Sequence, residues 1–175
     1  NLDGVYPIND SSYMESPCFN FADMRYPVFE MKLLGEAEKN KDGLALYYSV
    51  DNGVTWKLVP HKDDFDWNWY NSEMVEGLNG PGWDTTVNNW MTSKQILPEE
   101  TAGQSNIKFS LVFATDAYSR FEGYGIDDIR IYEAPPDVGQ TSIEYPVTQC
   151  YLSDSVNTTV SVKNTGIDSL FAGQQ

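Results

Sequence analysis

A strict two-residue alternation is the feature that most constrains the fold. Every second residue of Ile107–Phe113 is a large apolar one, which is the period of a half-buried strand. The run Val28–Leu34 alternates in the same way, with Phe29, Met31 and Leu33 on its inward face. Similar short runs recur between clusters of turn residues, and no long stretch has the period of a helix. The sequence therefore predicts an all-β sandwich.

A hairpin signal lies between the strand-like runs Leu44–Val50 and Val54–Val59. The intervening Asn-Gly pair is typical of a tight β-hairpin, and the surrounding residues match the Asp-box pattern S-x-D-x-G-x-T-W. In such a box Asp51 caps the turn, Gly53 takes a positive φ and Trp56 packs back over the hairpin. Sialidases carry several copies on propeller blades, but one copy in a short chain cannot form a propeller. We interpret the box as a local staple of the fold.

The prolines at positions 135 and 136 predict a boundary between two regions. Residues 1–134 are predicted to form one β-sandwich domain. Residues 135–175 are predicted to be a linker and the start of a second, all-β domain, because aromatic residues become rare and Thr158–Lys163 is rich in Thr, Val and Ser. About two strands cannot hold a core alone. Since the chain also lacks an initiator Met, we expect it to be a fragment of a longer protein.

The charge balance excludes two classes of partner. The chain has 11 Lys and Arg residues against 26 Asp and Glu, for a formal net charge of −15. Nucleic acids and anionic membranes both need a basic surface, so neither is expected to bind. No run of about 18 apolar residues predicts a membrane span. The balance favours divalent cations or basic partners. Cys18 and Cys150 could pair with each other, pair with residues beyond this chain or stay free.

The strand predicted over Gly123–Tyr132 contains two adjacent carboxylates. Ile129 and Ile131 share one face, and the period of two places Asp127 on that face, pointing inward. A buried carboxylate requires a metal, a cation or several hydrogen-bond donors. The alternative is an edge-strand Asp held by main-chain N–H groups, and both interpretations remain open.

An aromatic segment between the predicted strands suggests a second kind of site. Trp67, Trp69, Tyr70 and Trp83 could form a platform on which sugar rings stack, because tryptophan and tyrosine faces suit pyranose CH groups. The alternative is a long loop pinned to the sandwich by buried aromatic rings. We favour the second interpretation for most of these rings.

Catalysis is not expected. Acidic clusters occur at Asp63-Asp64-Asp66, at Glu99-Glu100 and at the Asp127 pair, but nothing in the sequence brings two of them into one cleft. His61 is the only histidine and lies in a polar loop without a nucleophile motif, so neither a catalytic triad nor a His-rich zinc site is predicted. Oxygen-rich calcium binding remains open, since Asp, Asn and carbonyl groups are plentiful.

Several short motifs follow one another in a characteristic order over about residues 1–133. They are Gly4-Val-Tyr6, Tyr13-Met-Glu-Ser-Pro17, Phe29 to Leu33, the Asp box, Trp69-Tyr-Asn71, Gly82-Trp83, Leu97-Pro98 and Gly125-Ile-Asp-Asp-Ile129. This order resembles a MAM-type jelly-roll. Similar MAM-like and reelin-repeat-like modules occur in large secreted proteins of Bacteroidota, many of them exported by the type IX secretion system. The tail is similar to the start of the Ig-like or CARDB-like modules that follow such domains.

This resemblance implies a non-catalytic module of a secreted cell-surface protein. Adhesion, binding of a surface glycan or protein, and spacing within a large protein are the implied roles, and other domains of the same protein are the implied partners. The alternative is an accessory domain that docks a secreted multidomain peptidase or glycosidase on its substrate.

The family also implies a structural cation, often calcium, near Asp127 and Asp128, the two adjacent carboxylates of the last predicted strand in this domain. Carried over by position, Asp127 is the first ligand and Asp128 the second, with Asp3 or Asp10 from the N-terminal turn. Adjacent strand residues point to opposite faces, so both can bind one ion only if a bulge near Gly125 re-aims one. In the family a first strand precedes the motif at Gly4. Only three residues precede it here, so we expect this strand, and with it part of the metal site, to be missing from this sequence.

If the protein is secreted in this way, O-glycosylation sites are also expected. Three tripeptides resemble the short Asp-Ser/Thr-apolar O-glycosylation signal of Bacteroidota, with Thr85, Ser155 and Ser169 as the modified residues. They are Asp84-Thr85-Thr86, Asp154-Ser155-Val156 and Asp168-Ser169-Leu170. The alternative is ordinary turn chemistry, in which Asp and Ser side chains bond nearby main-chain N–H groups.

Overall fold

The computed structural model describes residues 4–61, 66–134, 138–145 and 157–164. Contacts divide the chain into two units, Asn1–Glu133 and Ala134–Gln175. The larger unit contains ten described strands. They are β1 (Ser11–Glu15), β2 (Pro27–Glu36), β3 (Gly43–Ser49), β4 (Lys57–Leu58), β5 (Asp66–Trp67), β6 (Ser72–Val75), β7 (Gly80–Gly82), β8 (Val87–Ile96), β9 (Lys108–Ala114) and β10 (Gly123–Glu133).

Two antiparallel four-stranded sheets form the larger unit. One has the strand order β1-β9-β3-β4, the other has the order β10-β2-β8-β5, and β6 and β7 form a small separate hairpin. The sheets face each other across one core, where the rings of Phe29 on β2 and Phe109 on β9 lie 5.0 Å apart. The described residues include no α-helix and one short 3-10 turn at Glu99–Thr101. The predicted all-β sandwich is confirmed, and the jelly-roll winding stays a prediction.

The residues that the alternation places on the inward face of β2 are the ones that form the core. Phe29, Met31 and Leu33 on β2 are at most 2% exposed, as the period of two predicts. On the opposite sheet, Ile107 and Phe109 are also buried. The two inward faces therefore supply the hydrophobic core from which every other element is placed.

The predicted hairpin forms, but its second strand is shorter than expected. Strand β3 pairs with β4 through Tyr47 and Tyr48, and just after β4 the N–H of Val59 donates to the carbonyl oxygen of Leu46 at 2.9 Å. The Asp box occupies the residues before β4, and Val54 within it is 80% exposed. The turn therefore includes residues such as Val54 that strand propensity alone would assign to the second strand.

A β-bulge interrupts β10 and changes the orientation of its acidic pair. Asp127 pairs with Lys32 and Arg130 with Glu30, so β10 has one more residue than β2 between these points. The extra residue reverses the alternation, and Ile126 and Ile131 both pack against the core. Asp127 is exposed. The predicted inward orientation of this side chain is wrong, because the bulge follows it and the period of two cannot be extended across an inserted residue.

The smaller unit contains one described β-hairpin. Strand β11 (Val138–Tyr145) pairs antiparallel with β12 (Thr159–Asn164), and the register shifts twice along the pair. The second strand coincides with the predicted Thr-, Val- and Ser-rich run. The Ig-like nature of this unit stays a prediction.

Candidate cation site and the predicted binding residues

Three carboxylates meet at one end of the sandwich. One oxygen from each of Glu38, Asp42 and Asp116 lies within 4.8 Å of the others. Glu38 and Asp42 belong to the loop between β2 and β3, and Asp116 follows β9. Asp42 is fully buried. We call these three residues the acidic cluster.

Main-chain hydrogen bonds hold the acidic cluster in place. The N–H groups of Lys41 and Asp42 donate to the carbonyl oxygen of Glu38 at 3.0 and 2.9 Å, which closes a turn. The N–H of Asp116 donates to Oδ1 of Asp42 at 2.6 Å. The N–H of Asn9 donates to the carbonyl oxygen of Asp116 at 2.6 Å. Three separate chain segments are thus joined at the cluster.

Tyr6 connects the N-terminal segment to the same place. Its hydroxyl donates to Oδ2 of Asp42 at 2.6 Å and accepts from the N–H of Glu38 at 3.3 Å. Burial raises the pKa of Tyr6 well above its ordinary value, and the hydrogen bond to Asp42 raises this pKa further. The phenol therefore stays protonated and keeps donating to the carboxylate.

Two oxygens of the acidic cluster lack a partner. Oε2 of Glu38 and Oδ2 of Asp116 are buried from solvent, and neither accepts a hydrogen bond. A buried carboxylate oxygen without a donor is costly, and such groups are rare in folded proteins. Oxygen ligands of this type suit hard cations such as calcium and magnesium. The donor set therefore fits a cation, with further ligands needed from carbonyl groups or water.

The residues predicted to bind the cation are placed elsewhere. Oδ1 of Asp127 accepts from the N–H of Asp128 at 2.7 Å, and Oδ2 of Asp128 lies 2.5 Å from Nζ of Lys32. The Lys32 ammonium holds the pKa of Asp128 below its ordinary value. Asp10 accepts a hydrogen bond from Ser12 at 2.5 Å, and Asp3 lies outside the described residues. None of the described three belongs to the acidic cluster, and Asp127 instead matches the alternative of a carboxylate held by a main-chain N–H group.

Three of the four predicted stacking rings are buried. Trp69, Tyr70 and Trp83 are 3%, 9% and 1% exposed, and their ring centroids lie 4.6 to 5.3 Å apart. A solvent-facing platform made of all four rings is therefore wrong, and the alternative of buried anchors is confirmed for these three. Trp67 is 59% exposed, with Nζ of Lys94 5.9 Å from its ring centroid.

An Asn–Asp pair holds the buried rings in place. Nδ2 of Asn71 donates to Oδ1 of Asp84 at 2.5 Å, and the N–H of Asp84 donates back to Oδ1 of Asn71 at 3.1 Å. The N–H of Asn40 donates to Oδ2 of Asp84 at 2.7 Å. Asp84 is fully buried, so this pair satisfies polar groups that would otherwise be buried without partners. The motifs around Trp69 and Trp83 thus have a structural role.

The remaining predicted sites are only partly described. Thr85 is exposed, and its carbonyl oxygen accepts from the hydroxyl of Tyr124. Ser155, Ser169 and Cys150 lie outside the described residues, and Cys18 is exposed as a free thiol. O-glycosylation at the three positions stays a prediction.

The acidic cluster was not identified from the sequence. Its members come from the polar loop between β2 and β3 and from the residues after β9. Asp42 and Asp116 are 74 positions apart, and no spacing motif links them. The only local signal is a carboxylate immediately before the first residue of β3.

No family model matches the chain, and no curated protein is significantly similar to it. The resemblance to MAM-like modules therefore stays a prediction based on short motifs. Within the part of the chain that the structure describes, no helix is long and apolar enough to cross a membrane.

Proposed function

We propose that this chain is a non-catalytic binding or structural module of a secreted cell-surface protein, adhesin-like in role, with a structural cation in the acidic cluster. The observation that carries the proposal is the pair of buried, unpartnered oxygens of Glu38 and Asp116 beside the buried Asp42. Other domains of the same protein, and a surface glycan or protein, are the proposed partners.

The position of the acidic cluster supports a structural role for the cation. Tyr6, the loop before β3 and the loop after β9 all meet there. An ion would join these segments, and its binding free energy would add to the free energy of unfolding. It would also offset the mutual repulsion of three carboxylates in a chain with a net charge of −15.

The described polar groups support a structural module rather than an enzyme. Glu100 binds Nζ of Lys57 at 2.8 Å and accepts from the hydroxyl of Tyr48, so it links the short turn after β8 to β3 and β4. These two contacts hold the pKa of Glu100 below its ordinary value. Asp84 and Asp51 are likewise engaged in local hydrogen bonds. Glu100, Asp84 and Asp51 therefore stabilise the folded chain through local contacts.

The accessory-domain alternative depends on Trp67. This ring is the one member of the predicted platform that is exposed. An exposed tryptophan with a nearby lysine suits contact with a sugar or a peptide. A Trp67→Ala variant that still binds the substrate of the parent enzyme as well as the wild type would remove this alternative.

Thermal unfolding in calcium and in chelator tests the cation. We expect the melting temperature to rise by several degrees in calcium, because the ion binds only the folded state. Asp116→Asn should lose this response, since the amide keeps the shape of the side chain but not its charge. Asp127→Asn is the matched control and should keep the response.

Two results would contradict the proposal. The first is a wild-type melting temperature that is equal in saturating calcium, in magnesium and in chelator. The second is a response that disappears in Asp127→Asn but persists in Asp116→Asn, which would place the ion at the pair predicted from the sequence.

A further inference from the structure

Two edge strands lie on the same open side of the sandwich. Strand β1 is the last strand of one sheet and β10 is the last strand of the other. Both strands line the same cavity, since Met14 of β1 and Ile131 of β10 border it together. Among the residues that the structure describes, no strand pairs with the outer edge of either one. The two sheets are therefore not closed against each other here.

The outer edge of β1 presents free main-chain groups in a regular array. The carbonyl oxygen of Asp10 accepts from the N–H of Thr115 at 2.9 Å, and the N–H of Ser16 donates to the carbonyl oxygen of Phe109 at 2.9 Å. Because antiparallel pairing alternates along a strand, Ser11, Tyr13 and Glu15 direct their N–H and C=O groups away from β9. The pairing of β1 with β9 has no register shift. Such an edge is a template for one more strand.

An apolar groove runs between the two edges. It consists of cavities of about 390, 360 and 200 Å³. The first two share Met14 and Leu111, and the last two share Phe19 and Ile131, so the three form one continuous groove. Tyr13 and Met14 at its border are 70% and 53% exposed. A strand beside β1 would place every second side chain over this groove.

The border of the groove is negatively charged. Asp10, Glu15 and Glu122 contribute to its lining, and no lysine or arginine does so among the described residues. The whole chain has the same sign of charge. Glu15 alternates with the inward-facing Met14 and therefore lies on the outer face of β1. An incoming strand with apolar side chains over the groove and basic residues on its outer face would place those basic residues beside Glu15.

We propose that the outer edge of β1 binds an extended peptide strand of a partner protein, with apolar side chains on one face and lysine or arginine on the other. The strand would become the fifth strand of the sheet that contains β1, and its apolar face would cover Met14, Leu111 and Ile131. This mode is β-augmentation, in which main-chain hydrogen bonds give affinity and alternate side chains give specificity. The proposal deepens the binding role proposed above and rests on it.

Strand β1 is a better template than β10. The bulge between Asp127 and Arg130 breaks the regular spacing of main-chain groups on β10, and exposed charges at these two residues protect that edge. Strand β1 has neither feature along Ser11–Met14. The two edges therefore have different roles: β1 pairs with the incoming strand, and β10 supplies apolar side chains opposite it.

Binding of a synthetic peptide tests the proposal. The probe is a short, capped peptide that alternates isoleucine with lysine, and its affinity for the full chain is measured by calorimetry in calcium and again in chelator. One control peptide is N-methylated on alternate residues, which removes the donors needed for pairing but keeps the apolar face. Another carries glutamate in place of lysine. We expect both controls to bind at least about tenfold more weakly than the probe.

A matched pair of variants locates the binding site. Met14→Asp places a carboxylate in the groove and should weaken the probe at least about tenfold. Met74→Asp is the control, because Met74 is similarly exposed at 56% but lies on β6, away from the groove. Thermal unfolding of both variants establishes that they fold.

Several outcomes would overturn the proposal. These are no binding of the probe, equal binding of the N-methylated peptide, or equal loss in both methionine variants. Self-association of the chain that competes with the probe would assign the edge to a second copy. A longer form of the protein that excludes the probe would assign it to a segment of the same polypeptide. A missing calcium response with intact peptide binding would contradict only the cation, so the two proposals fail separately.

Discussion

Asp51 shows how one side chain can fix a turn. Its Oδ1 accepts from the hydroxyl of Ser49 at 2.6 Å and from the N–H of Thr55 at 2.8 Å, and its Oδ2 accepts from the hydroxyl of Thr55 at 2.6 Å. Asn52 and Gly53 between them have φ of +62° and +90°. These bonds favour the charged form and hold the pKa of Asp51 well below its ordinary value.

Replacing this carboxylate should lower stability in a pH-dependent way. Because the pKa of Asp51 is lower in the folded state, its contribution to stability is present above its ordinary pKa of about 3.9 and is lost as the pH falls towards the folded value. We expect Asp51→Ala to lower the melting temperature by a few degrees at pH 7 and by less in strong acid. Melting curves of both proteins across this range measure the difference.

The control for this experiment is Asp23→Ala, which removes an exposed carboxylate elsewhere on the surface. It should leave the melting temperature nearly unchanged at pH 7. A difference between wild type and Asp51→Ala that is constant with pH would show that the lost bonds do not depend on charge.

Residues that act within one turn could be predicted from the sequence, and residues that meet across the fold could not. The Asp box lies within eight positions, so its pattern contains all the partners that Asp51 needs. Asp42 meets Asp116 only because β3 pairs with β9. Asp128 reaches Lys32 across 96 positions. Such pairs require the sheet register, which local alternation does not determine.

At the scale of elements, the regular strands were predictable because their alternation is complete. In Phe29–Leu33 of β2 and Phe109–Phe113 of β9, every second residue lies in the core or packs against it, so the period of two identifies both strands. Strand β10 was predicted in place and Ile131 faces the core as expected, but the outward orientation of Asp127, which precedes the bulge, was not predicted. Asp128 takes a φ of +50° there, and no glycine at that position signals the inserted residue.

Gly35 sets the contact between β2 and β10. It lies opposite Tyr124, its φ is +138°, and a Cβ atom would lie 2.0 Å from the carbonyl oxygen of Gly123. Neither the backbone strain nor this overlap can be relieved by a change of rotamer, because the neighbour is main chain. We expect Gly35→Ala to lower the free energy of unfolding by about 3 kcal/mol or more, measured by urea denaturation.

Gly80→Ala is the matched control for Gly35. A Cβ atom at Gly80 would meet no atom within 4 Å, and Gly80 is also a strand residue. This variant should stay within about 1 kcal/mol of the wild type. Equal stability of the two alanine variants would mean that β2 and β10 are not as close at Gly35 as the structure places them.

For the whole molecule, the distribution of buried residues decides which part is autonomous. The main hydrophobic cluster runs from Phe21 to Leu111 and is flanked by partly buried residues up to Ile131. All of it belongs to the unit Asn1–Glu133. A unit of about 130 residues with both sheets can bury enough apolar surface to fold by itself. The smaller unit shows one described hairpin, and a single hairpin is marginally stable at best.

Removing residues 134–175 should therefore leave the folding of the larger unit intact. We expect a protein that ends at Glu133 to melt within a few degrees of the full chain, because the core cluster and both four-stranded sheets are retained. The complementary piece, residues 134–175, should show no cooperative transition of its own. Circular dichroism and calorimetry of the three proteins measure both expectations. A shortened protein that melts much earlier, or loses its cooperative transition, would show that the two units stabilise each other and that the larger one is not autonomous.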